Sequence, residues 1–327
     1  MGFTQAMRVR VFTPDDYPAI AAIEKQNFPD YGHDANDMRR RDETRPAHIR
    51  WGRLVAEEDG AIIGHASYGQ PVDMFHPHKF RVEVSVAPAF QERGVGTMLY
   101  DALMEALAPF EPVTLRTQAQ ESRTPGLRFL EKRGFVEEMR DFESRLDVAR
   151  FNAMPFAEAE KRVTDAGIVI KSVAELVDDP DRDHKLYELD WAVTLDMPSP
   201  DVLTKPAYEV FRTNAFDNPN YLPSGWFVAL DGDKYVGESQ LWKGQGEADL
   251  YTGATGVLRE YRRKGIALAL KLRAVAYAQS VSCPRVKTWN CTTNRAMLSI
   301  NEALGYEKEP AWITYVKHLI PETAGDR

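Results

Sequence analysis

Two short stretches, QERGVG at residues 91 to 96 and RRKGIA at residues 262 to 267, set polar or charged side chains and a glycine immediately before an apolar-patterned run. A turn that leads from a strand into a helix leaves several backbone N–H groups without intrahelical partners, at the positive end of the helix dipole. Such a turn is an anion site: Gly94 and Gly96 let the backbone approach a ligand closely, and Gln91 and Arg93 supply donors on the rim. The guest it fits is a phosphate or pyrophosphate. A Walker loop is excluded, because neither copy has Gly-Lys followed by Ser or Thr. A dinucleotide-binding fingerprint is excluded too, because GVGTML places Leu99 where a third small residue is required.

The two turns are parts of one repeat. VAPAFQERGVGTMLYDAL (86 to 103) recurs as VLREYRRKGIALALKLRA (257 to 274), with Val86 on Val257, Phe90 on Tyr261, Arg93 on Lys264 and Gly94 on Gly265. Forty residues beyond each glycine stands a second marker, Gly134-Phe135 and Gly305-Tyr306, and upstream LVAEEDGAIIG (54 to 64) resembles FVALDGDKYVG (227 to 237). Two related domains follow, expected at 1–147 and 168–327, with a partly helical, docked connector at 148–167. In the first half the patterning predicts a strand around Arg8 to Phe12, a helix after Thr13 and Asp15, and two strands joined at EEDG. A strand at Phe80 to Val86 and a helix from Gly94 to Leu107 come next, the helix with one apolar face through Leu99, Leu103 and Leu107. A strand at Val113 to Thr117, a helix ending at Arg133 and a closing strand near Val136 to Leu146 complete the half, and the second half repeats this from Ile168.

The pattern Gln/Arg-x-x-Gly-x-Gly/Ala after a strand ending in Val, present twice with its paired markers, resembles the coenzyme A pyrophosphate loop of the GNAT acetyltransferase superfamily. The resemblance covers nearly the whole chain as two tandem copies. It implies an α/β fold in each half: a mixed, mostly antiparallel sheet flanked by helices, with the fourth and fifth strands splayed apart and acetyl-CoA in the splay. The pantetheine would pair with the fourth strand around Val84 and Val86, or around Thr255 and Val257. The pyrophosphate would lie on the amides of Gln91, Glu92, Arg93, Gly94, Val95, Gly96 and Thr97. In the second copy the corresponding residues are Arg262, Arg263, Lys264, Gly265, Ile266, Ala267 and Leu268.

The implied reaction is direct attack of an amine on the thioester carbonyl, which needs a base, a polarised carbonyl and a proton for the thiolate. By the resemblance Glu83 is the candidate catalytic base in the first half; equally, it is a residue alternating outward on a half-exposed strand. The second half has Ala254 there, so its base would be Asp249, Glu238 or a water chain. Where the family commonly places an acidic Tyr, four residues before the Gly-Phe marker, this chain has Leu130 and Asn301; Tyr100, Tyr251 and Tyr315 are the substitutes on offer, with core packing the plainer reading of each. Asn294 is either a contact near the cofactor or the N-cap of the following helix, and the first half has Arg123 in its place.

Composition narrows the rest. A net charge of −8 with no basic stripe argues against nucleic acid as a partner and mildly favours cationic acceptors. Cys283 and Cys291 lack zinc-ligand spacing, and His76 and His78 flank a proline without a carboxylate cluster, so no metal is expected. No 18-residue apolar run or signal pattern occurs, which predicts no membrane partner and a cytoplasmic protein. The sequence therefore predicts an acetyl-CoA-dependent N-acetyltransferase of a small primary amine, with a homodimer as one oligomeric option. Its rival is an acyl-CoA-binding module in which one or both copies have lost turnover.

Overall fold

Val95, Leu99, Leu103 and Leu107 recur every fourth residue and are fully buried, so the run Val95–Leu107 forms a helix with one face in a core. The computed structural model describes residues 7–31, 34–244 and 248–320, and two compact units emerge from it. The described residues of Met1–Met139, Pro200–Thr204 and Ile313–Arg327 make the first; Arg140–Ser199 and Lys205–Trp312 make the second. These units do not coincide with the consecutive stretches 1–147 and 168–327 expected from the repeat.

In unit 1 the strands β1 (Arg8–Val11), β2 (Trp51–Glu58), β3 (Ala61–Gly69) and β4 (Lys79–Val86) form an antiparallel meander. β5 (Thr114–Gln120) joins β4 in parallel, and β13 (Trp312–His318) follows β5 in strand order. The EEDG turn between β2 and β3 has Asp59 and Gly60 at φ 50° and 80°, the tight hairpin geometry its sequence predicts. Residues of β2 alternate between faces: Leu54 and Ala56 pack with the Val95–Leu107 helix (α3), and Val55 packs with α1 (Tyr17–Asn27) and α2 (Ala35–Glu43). A further helix, α4 (Thr124–Glu131), precedes Gly134.

Unit 2 repeats the plan with β7 (Ile168–Ser172), β8 (Trp226–Asp231), β9 (Lys234–Lys243) and β10 (Leu250–Val257) antiparallel, and β11 (Arg285–Cys291) parallel to β10. Trp226, Val228 and Leu230 face α6 (Arg182–Thr194) and α7 (Tyr208–Ala215); Phe227 and Ala229 face α8 (Ile266–Ser280). The connector carries α5 (Ala157–Asp165), whose Ala159 and Val163 enter the core around Ile266 and Leu270; Gly167, at φ 80°, follows its end. α9 (Arg295–Ala303) precedes Gly305.

The closing strands are exchanged. The part of β6 (Val136–Asp147) from Asp141 onward lies antiparallel along β11, Asp147 opposite Arg285 and Asp141 opposite Cys291, within unit 2. Ile313 and Tyr315 of β13 instead pack with Leu115 in the core of unit 1, where the Leu319 N–H reaches the Val113 carbonyl at 2.8 Å. An alternating strand pattern states which face is buried but not which edge it joins, and this is why the repeat alone does not reveal the exchange. Ile313 is 2% exposed, so Ile313→Ala is expected to cost about 2–5 kcal/mol by leaving a cavity. Hydrogen exchange checks where that loss falls: amides of β4 and β5 should lose protection while those of β8 and β9 keep theirs, and the reverse pattern would place β13 in the wrong unit.

Candidate functional site

The β4–β5 pairing covers only Lys79 to Arg81 against Thr114 to Arg116, and the β10–β11 pairing only Leu250 and Tyr251 against Val286 and Lys287. Beyond those residues the strands part, while β4 stays paired with β3 up to Val86 and β10 with β9 up to Val257. In unit 2 a register shift between Thr252 and Thr255 marks the opening. Each unit thus carries a cleft between a parallel strand pair, bordered by Val84 and Val86 or by Thr255 and Val257.

The two loops that follow have the same backbone. Gln91 is extended at φ −66°, ψ 156°, and Arg262 at φ −67°, ψ 162°. Glu92 and Arg263 are left-handed at φ 59° and 63°, and Gly94 and Gly265 again at 87° and 83°. Glu92 and Arg263 lie within the small left-handed region that side chains can adopt, whereas a φ near 85° lies beyond it, so the second reversal selects glycine in both copies. The helices start one residue later, and the amides of Val95, Gly96 and Thr97, and of Ile266, Ala267 and Leu268, occupy the first turns that lack intrahelical acceptors. Gly96 has a packing role as well: a Cβ there would stand 3.3 Å from the Phe129 ring.

Gln91, expected as a donor on the rim, and its counterpart Arg262 turn back into the protein. Gln91 Nε2 donates to the Val86 carbonyl at 3.0 Å and to Asn27 Oδ1 at 3.2 Å. Arg262 Nε donates to the Val257 carbonyl at 3.1 Å, and its guanidinium pairs with Asp196. The two side chains clamp equivalent loops to the end of the preceding strand and to the C-terminal end of α1 or the segment just after α6. Asp196 is held below the usual carboxylate range by hydrogen bonding from Arg259 and by the charge of Arg262. Asn27 Nδ2 also donates to the Val86 carbonyl, at 3.1 Å, so that oxygen has two protein donors and the open edge of β4 is left to its neighbours. Arg93 pairs with Glu58 at 3.2 Å and lies over Phe90; Lys264 lies over Tyr261.

Glu83 projects, exposed, from the opened part of β4, with Ser67 Oγ 3.4 Å from Oε2. Asp249 is not available as the second-half base: it is buried between Lys287 at 3.0 Å and Arg285 at 3.0 Å. Tyr100 is buried and accepts from Lys317 Nζ at 3.0 Å; Tyr251 accepts from Lys287 Nζ at 3.2 Å and stacks on Trp289. Tyr315 belongs to the core of unit 1. Asn294 caps α9, accepting from the Met297 N–H at 3.3 Å, and Arg123 reaches the Asn27 carbonyl and lies over Phe28. Asn301 Nδ2 donates to Asn290 Oδ1 at 2.6 Å, and Leu130 packs at the core edge, so neither position offers a phenol. Among the described residues no group of three or more His, Cys, Asp or Glu could hold a metal, and no helix is long and apolar enough to cross a membrane.

One cluster was only partly legible. Glu238 on β9 is fully buried; Trp226 Nε1 donates to its Oε2 at 2.8 Å and Gln240 Nε2 at 3.2 Å. The same Gln240 Nε2 donates to Asp190 Oδ1 of α6 at 2.8 Å. Burial, reinforced by Asp190, pushes the Glu238 carboxyl well above its ordinary 4.5, and burial raises Asp190 too. Glu238 was named from the sequence as one option, but Asp190 lies 48 residues earlier on a helix and carries no motif.

These shifts set a sign for stability. A carboxyl raised in the folded state holds a proton that the unfolded chain releases, so its contribution is full below pH 4.5 and declines as pH rises from there toward the folded value. Denaturant titrations of unit 2 across pH 4.5 to 8 should show that decline, and Glu238→Gln should flatten it; an equal slope in the variant would contradict a proton held here.

The family model described as "Acetyltransferase (GNAT) family" matches residues 17–135 and 184–306. No curated protein matches the chain. Among solved structures, a GCN5-related N-acetyltransferase from Sphaerobacter thermophilus aligns at TM-score 0.70 and 19% identity, over 97% of each chain. A tandem GNAT protein from the clavulanic acid biosynthesis pathway aligns at 0.73 and 17%, over 97% of this chain and all of that one. A putative acetyltransferase from Pyrococcus horikoshii aligns at 0.54 and 17%, over 100% and 94%. At such identities the structures show a shared fold, and the family match spans both the cleft and the glycine loop of each unit; the chain belongs to the GNAT acetyltransferase family, with two copies of its fold in tandem.

Proposed function

We propose that the chain is an acetyl-CoA-dependent N-acetyltransferase of a small primary amine, and that each unit binds one coenzyme A. The observation that carries this is the loop backbone repeated at Gln91–Gly94 and Arg262–Gly265, each copy following an opened parallel strand pair. The residues fit the group. The first-turn amides suit a pyrophosphate, Arg93 and Lys264 add positive charge nearby, and the β4 and β10 edges hold main-chain groups suited to an amide-bearing chain. When bound, the thioester supplies the acyl group.

In unit 1 Glu83 is the base. Its exposed carboxylate on the open edge of β4 takes the proton from the acceptor ammonium, directly or through one water, and Ser67 steadies Oε2. The amine nitrogen then bonds to the acyl carbon, the carbon–sulfur bond breaks, the nitrogen gives up its second proton to solvent, and the thiolate takes one from solvent, since Leu130 provides no phenol. The acidic surface supports a cationic acceptor. A second reading, in which one copy binds coenzyme A without turnover, is favoured by Ala254 standing where Glu83 stands in the first copy.

Calorimetry with coenzyme A should give two sites per chain. Gly94→Val and Gly265→Val should each remove one, because a β-branched residue is strained at φ near 85° and its side chain fills the anion position. Unchanged stoichiometry in both variants would overturn the placement, and no binding to folded protein would overturn the function. Thiol release from acetyl-CoA with a primary-amine panel then separates the readings: Glu83→Gln should lower turnover by roughly 10²–10⁴-fold if unit 1 is active, while two bound coenzymes with no thiol release would favour binding alone.

A further inference from the structure

Asp190 and Glu238 are two carboxyl groups bridged by one amide nitrogen, Gln240 Nε2, at 2.8 and 3.2 Å. The groups bonded into this network are Trp226 from β8, Gln240 and Trp242 from β9 and Ala254 from β10, while Tyr221, from the segment before β8, lies against the Trp226 and Trp242 rings. Among the described residues no lysine, arginine or histidine bonds to either carboxyl; the nearest charges acting on Tyr221, Arg182 and Asp183, pair with each other. Glu238 is fully buried, and its Oε1 has no hydrogen-bond donor among the described residues. A buried carboxyl oxygen left in that condition costs about 1–3 kcal/mol or more, which a structural role alone does not explain.

Asp190 is partly exposed, as are Tyr221, Trp242 and Ala254. The rings of Tyr221, Trp226 and Trp242 stand 6.2 to 6.3 Å from one another, forming one aromatic wall beside the acids. The network ends at the backbone of Ala254, whose N–H donates to Gln240 Oε1 at 3.3 Å. Ala254 is the position at which the first copy carries Glu83. Acid pair, aromatic wall and open strand edge therefore meet on one face of unit 2.

We propose that Asp190, with Glu238 behind it and Trp242 joined to the same Gln240, seats the ammonium group of an amine acceptor in unit 2 and accepts its proton. The inference rests on the acetyltransferase reading, and it supplies the base that β10 lacks. The step is a proton transfer: R–NH3⁺ and the Asp190 carboxylate become R–NH2 and the carboxylic acid. Asp190 touches the acceptor, while Glu238 is a positioning residue that tunes it through Gln240. Aromatic faces stabilise a cation by a further increment that an uncharged isostere does not receive.

The test uses the full chain loaded with coenzyme A, and n-butylammonium chloride as the probe, with n-butanol as its uncharged isostere. Calorimetry should show ammonium binding at least tenfold tighter than the alcohol. In a Glu83→Gln background, in which the acid of unit 1 does not contribute, Asp190→Asn should abolish that preference while both coenzyme sites remain. Glu238→Gln should keep ammonium binding and its rise as Asp190 ionises, but remove the further rise at higher pH where Glu238 would lose its proton; a merely structural Glu238 would leave the whole pH profile in place. Equal affinity for the two probes, no binding of either, or wild-type binding in Asp190→Asn on that background would each overturn the proposal. Loss of coenzyme A binding in the wild-type chain would instead remove the reading on which it rests.

Discussion

Main-chain amides and carbonyls at an open strand edge, and amides in the first turn of a helix, need partners from somewhere. In this chain both kinds of deficit fall side by side, twice: the parallel pair opens after Arg81 in one unit and after Tyr251 in the other, and a left-handed glycine then starts a helix. The protein settles part of the deficit itself. Gln91 and Asn27 occupy the Val86 carbonyl, and Arg262 the Val257 carbonyl. What stays open is a strand edge leading to a cluster of amides, an arrangement suited to an elongated ligand with a phosphate at one end. Core packing serves the arrangement, since α3 and α8 must lie close under the sheet to aim their first turns.

Much of this was legible because the backbone geometry depends on residue type. Gly94 and Gly265 are needed at φ near 85°, and the apolar spacing from Leu99 to Leu107 allows only one buried helix face. Two copies in register turned a weak turn pattern into a strong one. The capping role of Asn294 was also readable, as an Asn immediately before an apolar run. The roles of Gln91 and Arg262 were not. A polar side chain beside a glycine reads as a ligand donor until the end of the first helix is seen to lie against it, through Asn27 or Asp196.

The exchange of closing strands and the acid pair escaped for a different reason. β6 is a partly exposed strand and β13 a mostly buried one, and apolar content alone does not choose which open edge a strand joins. Asp190 reads as one polar position on an amphipathic helix and Glu238 as one alternating residue on a strand; only tertiary packing brings them to a single amide. The copies differ at one strand position, with Glu83 exposed on β4 in one and Ala254 on β10 in the other, while φ at both left-handed loop residues agrees to within a few degrees.

The most direct test of the account is a crystal structure of the chain grown with coenzyme A. It should show pyrophosphate density against the amides of Val95 to Thr97 and of Ile266 to Leu268, with the pantetheine running along the opened parts of β4 and β10. Density in neither loop, or coenzyme bound away from both clefts, would contradict the central claim that each repeated glycine turn is a phosphate seat.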